Sequence, residues 1–315
     1  MNNQALSFTD ALSILNTSDD QLDELLARTE ALTLETVGNA VLLCGIVNAK
    51  SGQCSEDCSF CSQSAHHHTK ADVYPLMAKE TLMGAHNRSK GDGVSCFSIV
   101  TSGKGVPTGK DFDTILSALT GFDGTYRCTS LGIMTKAQLQ QLKDAGMDKY
   151  HHNLETARSF FNEMCTTHTY DERVATISAA KEVGLQVCSG GIFGLGESLE
   201  QRVELAMELR DLDVDSVPIN ILYPIEGTKV FGKVDPIRPQ DILKLIAMFR
   251  WVMPTKIIGL FGGRERNLGE WQRYMFSAGA NAMLVGNYLT TTGNPVDLDW
   301  QLIEQAGRVP MRKAG

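Results

Sequence analysis

The sequence runs to 315 residues, 43% of them hydrophobic, enough to bury one large core and within the range of a single α/β barrel. Lys and Arg number 29 against 37 Asp and Glu; the net charge of -8 argues against nucleic acid or an anionic membrane as partner and for a small-molecule substrate. The N-terminus MNNQALSFTDALSIL has no secretory pattern and no run of ~18 apolar residues occurs. A cytoplasmic, reducing setting is therefore expected, in which eight cysteines serve metal or redox chemistry and not a disulfide framework.

In chain order, residues 7–35 predict two short amphipathic helices, the second opened by Ser18, Asp19 and Asp20 as cap and acidic first turn. Eight short apolar runs follow, beginning at Val41, Val94, Thr125, Tyr150, Leu185, Ser216, Lys256 and Asn281. Between them lie segments of 3.6 periodicity, among them DERVATISAAKEVG, LEQRVELAMELRDL and PQDILKLIAMFRWV. This alternation predicts a TIM-type (β/α)8 barrel over residues 39–315, preceded by a helical extension over 1–38, with functional groups at the C-terminal ends of the strands. An open doubly wound sheet is the second fold the alternation allows. The tail RVPMRKAG reads as a frayed basic end.

Directly after the first predicted strand come Cys54, Cys58 and Cys61, a Cys-x3-Cys-x2-Cys spacing on a Gly/Ser-rich loop. Thiolates are soft ligands suited to iron-sulfur clusters, and three of them on a cubane leave the fourth iron open to a small molecule. A structural zinc loop is the bland alternative and needs a fourth ligand, for which His66, His67 and His68 are nearest; that run otherwise reads as a solvated loop. Phe60 in isolation reads as a packing residue; in this loop the alternative is a contact with an adenine.

Cys-x3-Cys-x-aromatic-Cys resembles the signature loop of the radical S-adenosylmethionine (SAM) superfamily. The resemblance implies a [4Fe-4S] cluster on Cys54, Cys58 and Cys61 that chelates SAM at its open iron. An electron from the cluster then cleaves SAM to methionine and a 5'-deoxyadenosyl radical, which abstracts hydrogen from unactivated carbon.

Cys96, Cys128 and Cys188 each fall inside a different predicted strand, and inward-facing residues of parallel barrel strands can meet in the lumen. Buried free cysteine is also ordinary core, which is the reading given to Cys44 and to Cys165, the latter in a segment expected to be partly exposed. Gly190, Ile192 and Gly194 belong to GGIFGLGE, where glycines let backbone approach a ligand closely; the spacing does not fit a dinucleotide fingerprint. Asn153 and Glu155 share a face and can bond vicinal hydroxyls.

From about Asn48 to about Gly307 the sequence resembles the biotin synthases, in NAKSGQCSEDCSFCSQS, YHHNLET, VCSGGIFGLGE, SVPIN, GGRE and AGANAMLVGNYLTT. The resemblance implies sulfur insertion into dethiobiotin, with two SAM consumed per biotin, in a homodimer fed by a reducing electron-donor protein. It also implies an auxiliary iron-sulfur cluster deep in the barrel as sulfur donor, [2Fe-2S] on three strand cysteines and an arginine in the best-known branch. Cys128 and Cys188 match two of those cysteines, and Cys96 falls at the third in one of the registers its strand allows. Gly259 stands where the arginine is expected, Arg264 belonging to the adjacent GGRE, and FSIVTSGKG is closer to a second branch; the cluster type is thereby left open. By the same resemblance Gly190, Ile192 and Gly194 line the adenine of SAM, Asn153 and Glu155 bind its ribose, and Asn220 and His151 face the substrate. Rivals are another biotin-synthase-like enzyme, hydrogenase-maturing or methylornithine-forming, in which the Cys128 and Cys188 pair with SVPIN is not expected, and a non-catalytic iron-sulfur or zinc scaffold.

Overall fold

The computed structural model describes residues 6–313. Ser7 opens the first helix, its hydroxyl accepting the Asp10 amide at 3.1 Å, so that α1 runs Phe8–Leu15. A single 3-10 turn over Asp19–Gln21 leads into α2, Leu22–Thr36; Asp19 and Asp20 precede this helix and Ser18 does not cap it. Thereafter β1 (Ala40–Lys50), α3 (Lys79–Gly91), β2 (Cys96–Thr101), α4 (Lys110–Leu119), β3 (Tyr126–Ser130), α5 (Lys136–Asp144), β4 (Lys149–His151), α6 (Arg158–Met164) and α7 (Tyr170–Glu182) alternate. They continue with β5 (Gln186–Cys188), β6 (Gly191–Phe193), α8 (Leu199–Asp211), β7 (Ser216–Ile221), α9 (Pro239–Val252), β8 (Ile257–Leu260), α10 (Arg264–Leu268), β9 (Ala282–Leu284), α11 (Val296–Gln305) and β10 (Val309–Pro310).

Every ladder between these strands is parallel, and β9 returns to β1 with Leu42 opposite Ala282 and Cys44 opposite Leu284. That pairing closes an eight-position barrel and excludes the open sheet. One position is divided: the run from Leu185 makes β5 and β6, both paired to β7, with Cys188 opposite Ser216 and Gly191 opposite Ile219. Pro218 lies between those two partners in β7 and has no N–H to give, so the ladder lapses there while its register is kept.

The C-terminal tail is not frayed over its described part. β1 pairs with β9 only from Leu42 and with β2 only from Cys44, leaving Ala40 and Val41 unpartnered at its start. β10 takes up those groups, Ala40 opposite Val309, and the Met311 amide donates to the Val41 carbonyl at 2.7 Å. Arg308 and Lys313 then anchor to Glu30 at 2.7 Å and Asp148 at 2.8 Å.

α1 and α2 pack on α8 and α9, which explains why α9 is buried on most of its surface, Ile242, Leu243, Leu245, Ile246, Met248 and Phe249 fully so. Lys244, also buried, reaches Asp19 at 2.7 Å across this contact, and the Trp251 indole donates to the Thr29 hydroxyl at 2.9 Å. No helix among the described residues is long and apolar enough to cross a membrane.

Candidate functional site

One cavity of about 460 Å³ runs from the strand ends into the barrel lumen. Cys54, Cys58 and Cys61 line it at one end, and Cys44, Cys96, Cys128 and Cys188 line it within the barrel.

The loop leaves β1 through Gly52 and Gln53, both with positive φ, of 72° and 51°. The Gln63 side-chain carbonyl accepts from the Ser51 hydroxyl and the Gly52 amide, both at 3.1 Å, which ties the loop's two ends together. The Cys54 amide donates to the Gln63 carbonyl at 3.0 Å and Ala65 returns a bond to the Cys54 carbonyl at 2.8 Å. His66 and His67 serve the same fastening, their rings meeting the Ser55 carbonyl at 3.0 Å and the Cys61 carbonyl at 2.9 Å. Burial pushes the Cys61 thiol up to about 11, so the proton there leaves with a metal in its place and not before.

Beneath the loop lies a network that the sequence reading did not foresee. Glu56 is buried and accepts from His168 Nδ1 at 2.6 Å and from the Thr167 hydroxyl at 2.8 Å; burial raises this carboxyl, but the bonds from Thr167, His168 and Ser55 hold it below the usual range. Arg173 Nε donates to His168 Nε2 at 2.9 Å, which places the His168 proton on Nδ1. The segment is partly exposed as expected, at Thr166 and Thr167, but Cys165 itself is buried where the cysteine loop roofs it: Asp57 takes the Thr166 amide at 2.8 Å. Its sulfur is 3.7 Å from Cys58 Sγ and 3.3 Å from His168 Nδ1, and Cys58, Cys165 and His168 form a compact trio of potential ligand atoms. A Cys-x2-His pair about a hundred residues from the loop was the available signal, but no spacing rule connects segments that far apart.

Asn153 and Glu155 stand together after β4, 3.4 Å apart, and both belong to this network: Arg173 donates to the Asn153 carbonyl at 2.8 Å and approaches Glu155 at 3.4 Å. Burial raises the Glu155 carboxyl. Glu155 has a φ of 71°, and its carbonyl accepts from the Ile192 amide at 2.7 Å, which brings the Gly190–Gly194 stretch alongside. The approach is close: a Cβ at Gly190 would sit 2.0 Å from the Pro218 carbonyl oxygen, and one at Gly191 2.5 Å from that of Glu155. Glu197 then gathers the Gly194 and Leu195 amides at 2.9 and 2.7 Å and is paired with Arg202 at 2.8 Å. Phe60 and Ile192 pack against one apolar cluster of Leu195, Leu222 and Val230, so the loop aromatic and the glycine stretch share an apolar surface.

The lumen is organised by register. Cys44 is opposite Cys96, Ser98 opposite Cys128, Cys128 opposite Lys149, His151 opposite Cys188 and Cys188 opposite Ser216. Cys96 therefore points inward, and so does Cys44, which the sequence reading had given to the core. The neighbouring Cys96 thiol, and then burial, push the Cys44 and Cys128 thiols well above the ordinary range; burial pushes Cys188 up to about 11. His151 Nδ1 lies 3.4 Å from Cys188 Sγ, and burial lowers this imidazole to about 4, leaving it neutral. Ser98, Ser189 and Ser216 carry buried hydroxyls with no partner among the described residues. Four sulfurs on β1, β2, β3 and β5, with β4 between the last two and spare hydroxyl donors beside Cys128 and Cys188, fit an iron-sulfur cluster by donor type and by the unsatisfied bonds they leave.

Lys149 is the one feature of this lumen that thiols do not explain. It is 3% exposed, and its ammonium has the Tyr126 ring at 5.3 Å but no hydrogen bond or ion pair with the protein among the described residues. Burial opposes its charge, while Cys96, Cys188, Cys44 and Cys128 around it hold it above the ordinary lysine range.

No arginine among the described residues lines the cavity at this ring. A Cβ added at Gly259 would meet the Phe261 ring at 2.3 Å and Ala282 Cβ at 2.8 Å, so the room for a long side chain there is taken. Arg264 is fully buried elsewhere, donating to Gln272 at 2.6 Å and Asp299 at 2.8 Å and holding α10 to α11. Asn220 lines the cavity, but both ends of its amide are in use, Nδ2 on the Gly191 carbonyl at 3.1 Å and Oδ1 on the Gly262 amide at 2.9 Å.

Residues 50–209 match the family profile of the radical SAM superfamily, and residues 218–309 that of the biotin and thiamin synthesis associated domain. The chain is 46% identical over 303 residues to a biotin synthase of Geobacter metallireducens, covering 95% of this chain and 92% of the relative. It is 51% identical over 274 residues to that of Geobacter sulfurreducens, 86% and 83% of the two chains. Among solved structures, methylornithine synthase (PylB) superposes with a TM-score of 0.85 at 20% identity over 98% of this chain and 95% of the other. The FeFe-hydrogenase maturase HydG of Carboxydothermus hydrogenoformans does so with 0.80 at 16% identity, 98% and 76% covered. At such identities these two structures speak to the fold alone, a closed parallel barrel surrounded by helices.

Proposed function

The chain belongs to the biotin synthase family of radical SAM enzymes, converting dethiobiotin to biotin, and on that premise we propose that its cysteines are divided between two iron-sulfur sites at the two depths of one cavity. Cys54, Cys58 and Cys61 hold the [4Fe-4S] cluster, and Cys44, Cys96, Cys128 and Cys188 hold the auxiliary cluster. The observation that carries this reading is the convergence of four strand cysteines on the lumen of the cavity whose other end the loop lines.

When bound, the [4Fe-4S] cluster supplies the electron that cleaves SAM to methionine and the 5'-deoxyadenosyl radical; the auxiliary cluster supplies sulfur. The protein's part is to bind, orient and shield. Asn153 and Glu155, held by Arg173, would bind the ribose; Gly190 and Gly194 would let backbone approach the adenine, with the Ile192 and Phe60 side chains as its apolar surroundings. His151, kept neutral beside Cys188, offers a ring nitrogen to substrate without adding charge to the lumen. Asn220 serves the substrate side by fixing β6 and β7 to the turn after β8, its amide already bonded to backbone.

A ring of four cysteines without arginine favours an auxiliary cluster held by thiolates alone over the [2Fe-2S] type with an arginine ligand, because nothing at Gly259 can reach it. The same reading includes a reducing electron-donor protein, a homodimer and a cytoplasmic setting, supported by family membership and by eight cysteines that all stand as free thiols. It takes residues 1–38 as a helical extension to a barrel domain over 39–315.

The test is an anaerobic assay of reconstituted protein with SAM, reductant and dethiobiotin, following 5'-deoxyadenosine and biotin together by mass spectrometry. Wild type should give both products. Cys128→Ala and Cys188→Ala should give deoxyadenosine without biotin, and full biotin yield from either would remove the sulfur-donor role from the lumen.

A further inference from the structure

Three cations line the cavity: Lys104, Arg173 and Lys149. The first two are accounted for, Lys104 by Glu172 at 2.9 Å and Arg173 by Glu155 at 3.4 Å and by His168. Lys149 is not. Its strand register puts it beside Cys128, two residues before His151 and on the same inward face, and the closest acid in sequence, Asp148, is taken by Lys313 at 2.8 Å and by the Arg127 amide at 2.8 Å. A buried ammonium with no counter-charge is destabilising unless an anion joins it. Besides the Tyr126 ring, the groups around it are the sulfurs of Cys44, Cys96, Cys128 and Cys188, and these become anionic when they ligate iron, since metal replaces the thiol proton. A cluster held by four thiolates carries net negative charge whichever nuclearity it has.

We propose that Lys149 is a positioning residue for the auxiliary cluster: its ammonium, buried and unpaired beside the ring of Cys44, Cys96, Cys128 and Cys188, is the counter-charge that lets an anionic cluster occupy the lumen. The proposal rests on the four-cysteine reading above and extends it to a residue that ligates nothing. Gly259 contributes no charge and Arg264 points away into its bonds with Asp299 and Gln272, so Lys149 is the one cation of the described residues available at this depth. The charge also bears on redox behaviour. A fixed cation favours the more negative, reduced state of a nearby cluster and raises its potential.

The experiment compares Lys149→Met, close in length and neutral, with Lys149→Arg, which keeps the charge. Iron and sulfide per chain are measured after anaerobic reconstitution, and the auxiliary cluster is titrated by EPR in the full chain and in a background whose loop cysteines are alanine. Lys149→Met should lose several-fold of the lumen iron, and what remains should reduce at a more negative potential, whereas Lys149→Arg should stay near wild type. Cluster-free Lys149→Met should melt at or above cluster-free wild type, because a buried unpaired charge has been removed. Wild-type iron content and potential in Lys149→Met would overturn the proposal, as would a cluster-free variant that melts well below wild type, which would make the lysine a structural residue. A wild-type chain that holds the loop cluster alone would overturn the four-cysteine reading itself and the proposal with it.

Discussion

The two sets of cysteines are built by different means. Cys54, Cys58 and Cys61 are neighbours in sequence on a loop whose shape is set by side chains: Gln63 closes its base, Glu56 and Asp57 bind it to Thr166, Thr167 and His168, and positive φ at Gly52 and Gln53 turns it out of β1. Cys44, Cys96, Cys128 and Cys188 come from four strands and are brought together by ladder register alone. The loop can be disturbed residue by residue without moving the barrel. The lumen set cannot, since a one-residue slip of any strand would turn its cysteine out of the ring.

The largest effects should come from the loop. Cys54→Ala, Cys58→Ala and Cys61→Ala should each bring deoxyadenosine and biotin together to background in the anaerobic assay, and appreciable deoxyadenosine from any of them would remove that cysteine from the set. Cys44→Ala sharpens the comparison on the other side: it should behave as Cys188→Ala does, with biotin lost and SAM cleavage kept, and a wild-type biotin yield would reduce the ring to three strands.

A smaller effect, on stability, should follow from the clamp beside the ring. Arg264 bonds the Leu284 carbonyl at 3.3 Å, on the strand paired to Cys44, and is paired with the buried Asp299 at 2.8 Å. Asp299→Ala would leave a fully buried guanidinium with Glu265 as its remaining acid and should cost on the order of 3 kcal/mol in urea unfolding. A loss under about 1 kcal/mol would show that solvent or Glu265 takes over. The smallest effect should come from α7, outside both sets. The Lys104 ammonium and the Thr169 amide hold Glu172 at about 2, well below its ordinary value. A depressed carboxylate stabilises the fold above its unfolded-state pKa and ceases to as pH falls toward about 2, so Glu172→Gln should lower the melting temperature slightly at pH 7 and leave it unchanged near pH 2. The pair is well exposed, which limits the difference to roughly 0.5 kcal/mol.

The fold was largely legible because its eight apolar runs alternate with helical segments, and the loop because a metal-binding spacing is local. The rest was hidden for physical reasons. A strand of a parallel barrel is buried on both faces, so VLLCGIV carries no alternation to say that Cys44 faces inward; that follows only from its partner Cys96. Cys165 and His168 acquire meaning only by packing under a loop about a hundred residues away. β10 is two residues long, below what any periodicity can register, and exists because β1 starts before its neighbours. Pro218 was visible, but its consequence, a strand divided at Gly190, needed the register to appear.

The central claim is that the lumen ring holds the sulfur that enters the product, and it is tested most directly by reconstituting the protein with heavy-isotope sulfide and measuring the mass of the biotin formed in a single turnover. Heavy biotin from wild type, and none from Cys188→Ala under conditions where deoxyadenosine still forms, is the result predicted. Biotin carrying sulfur of natural isotopic composition, from protein whose clusters are fully labelled, would contradict it.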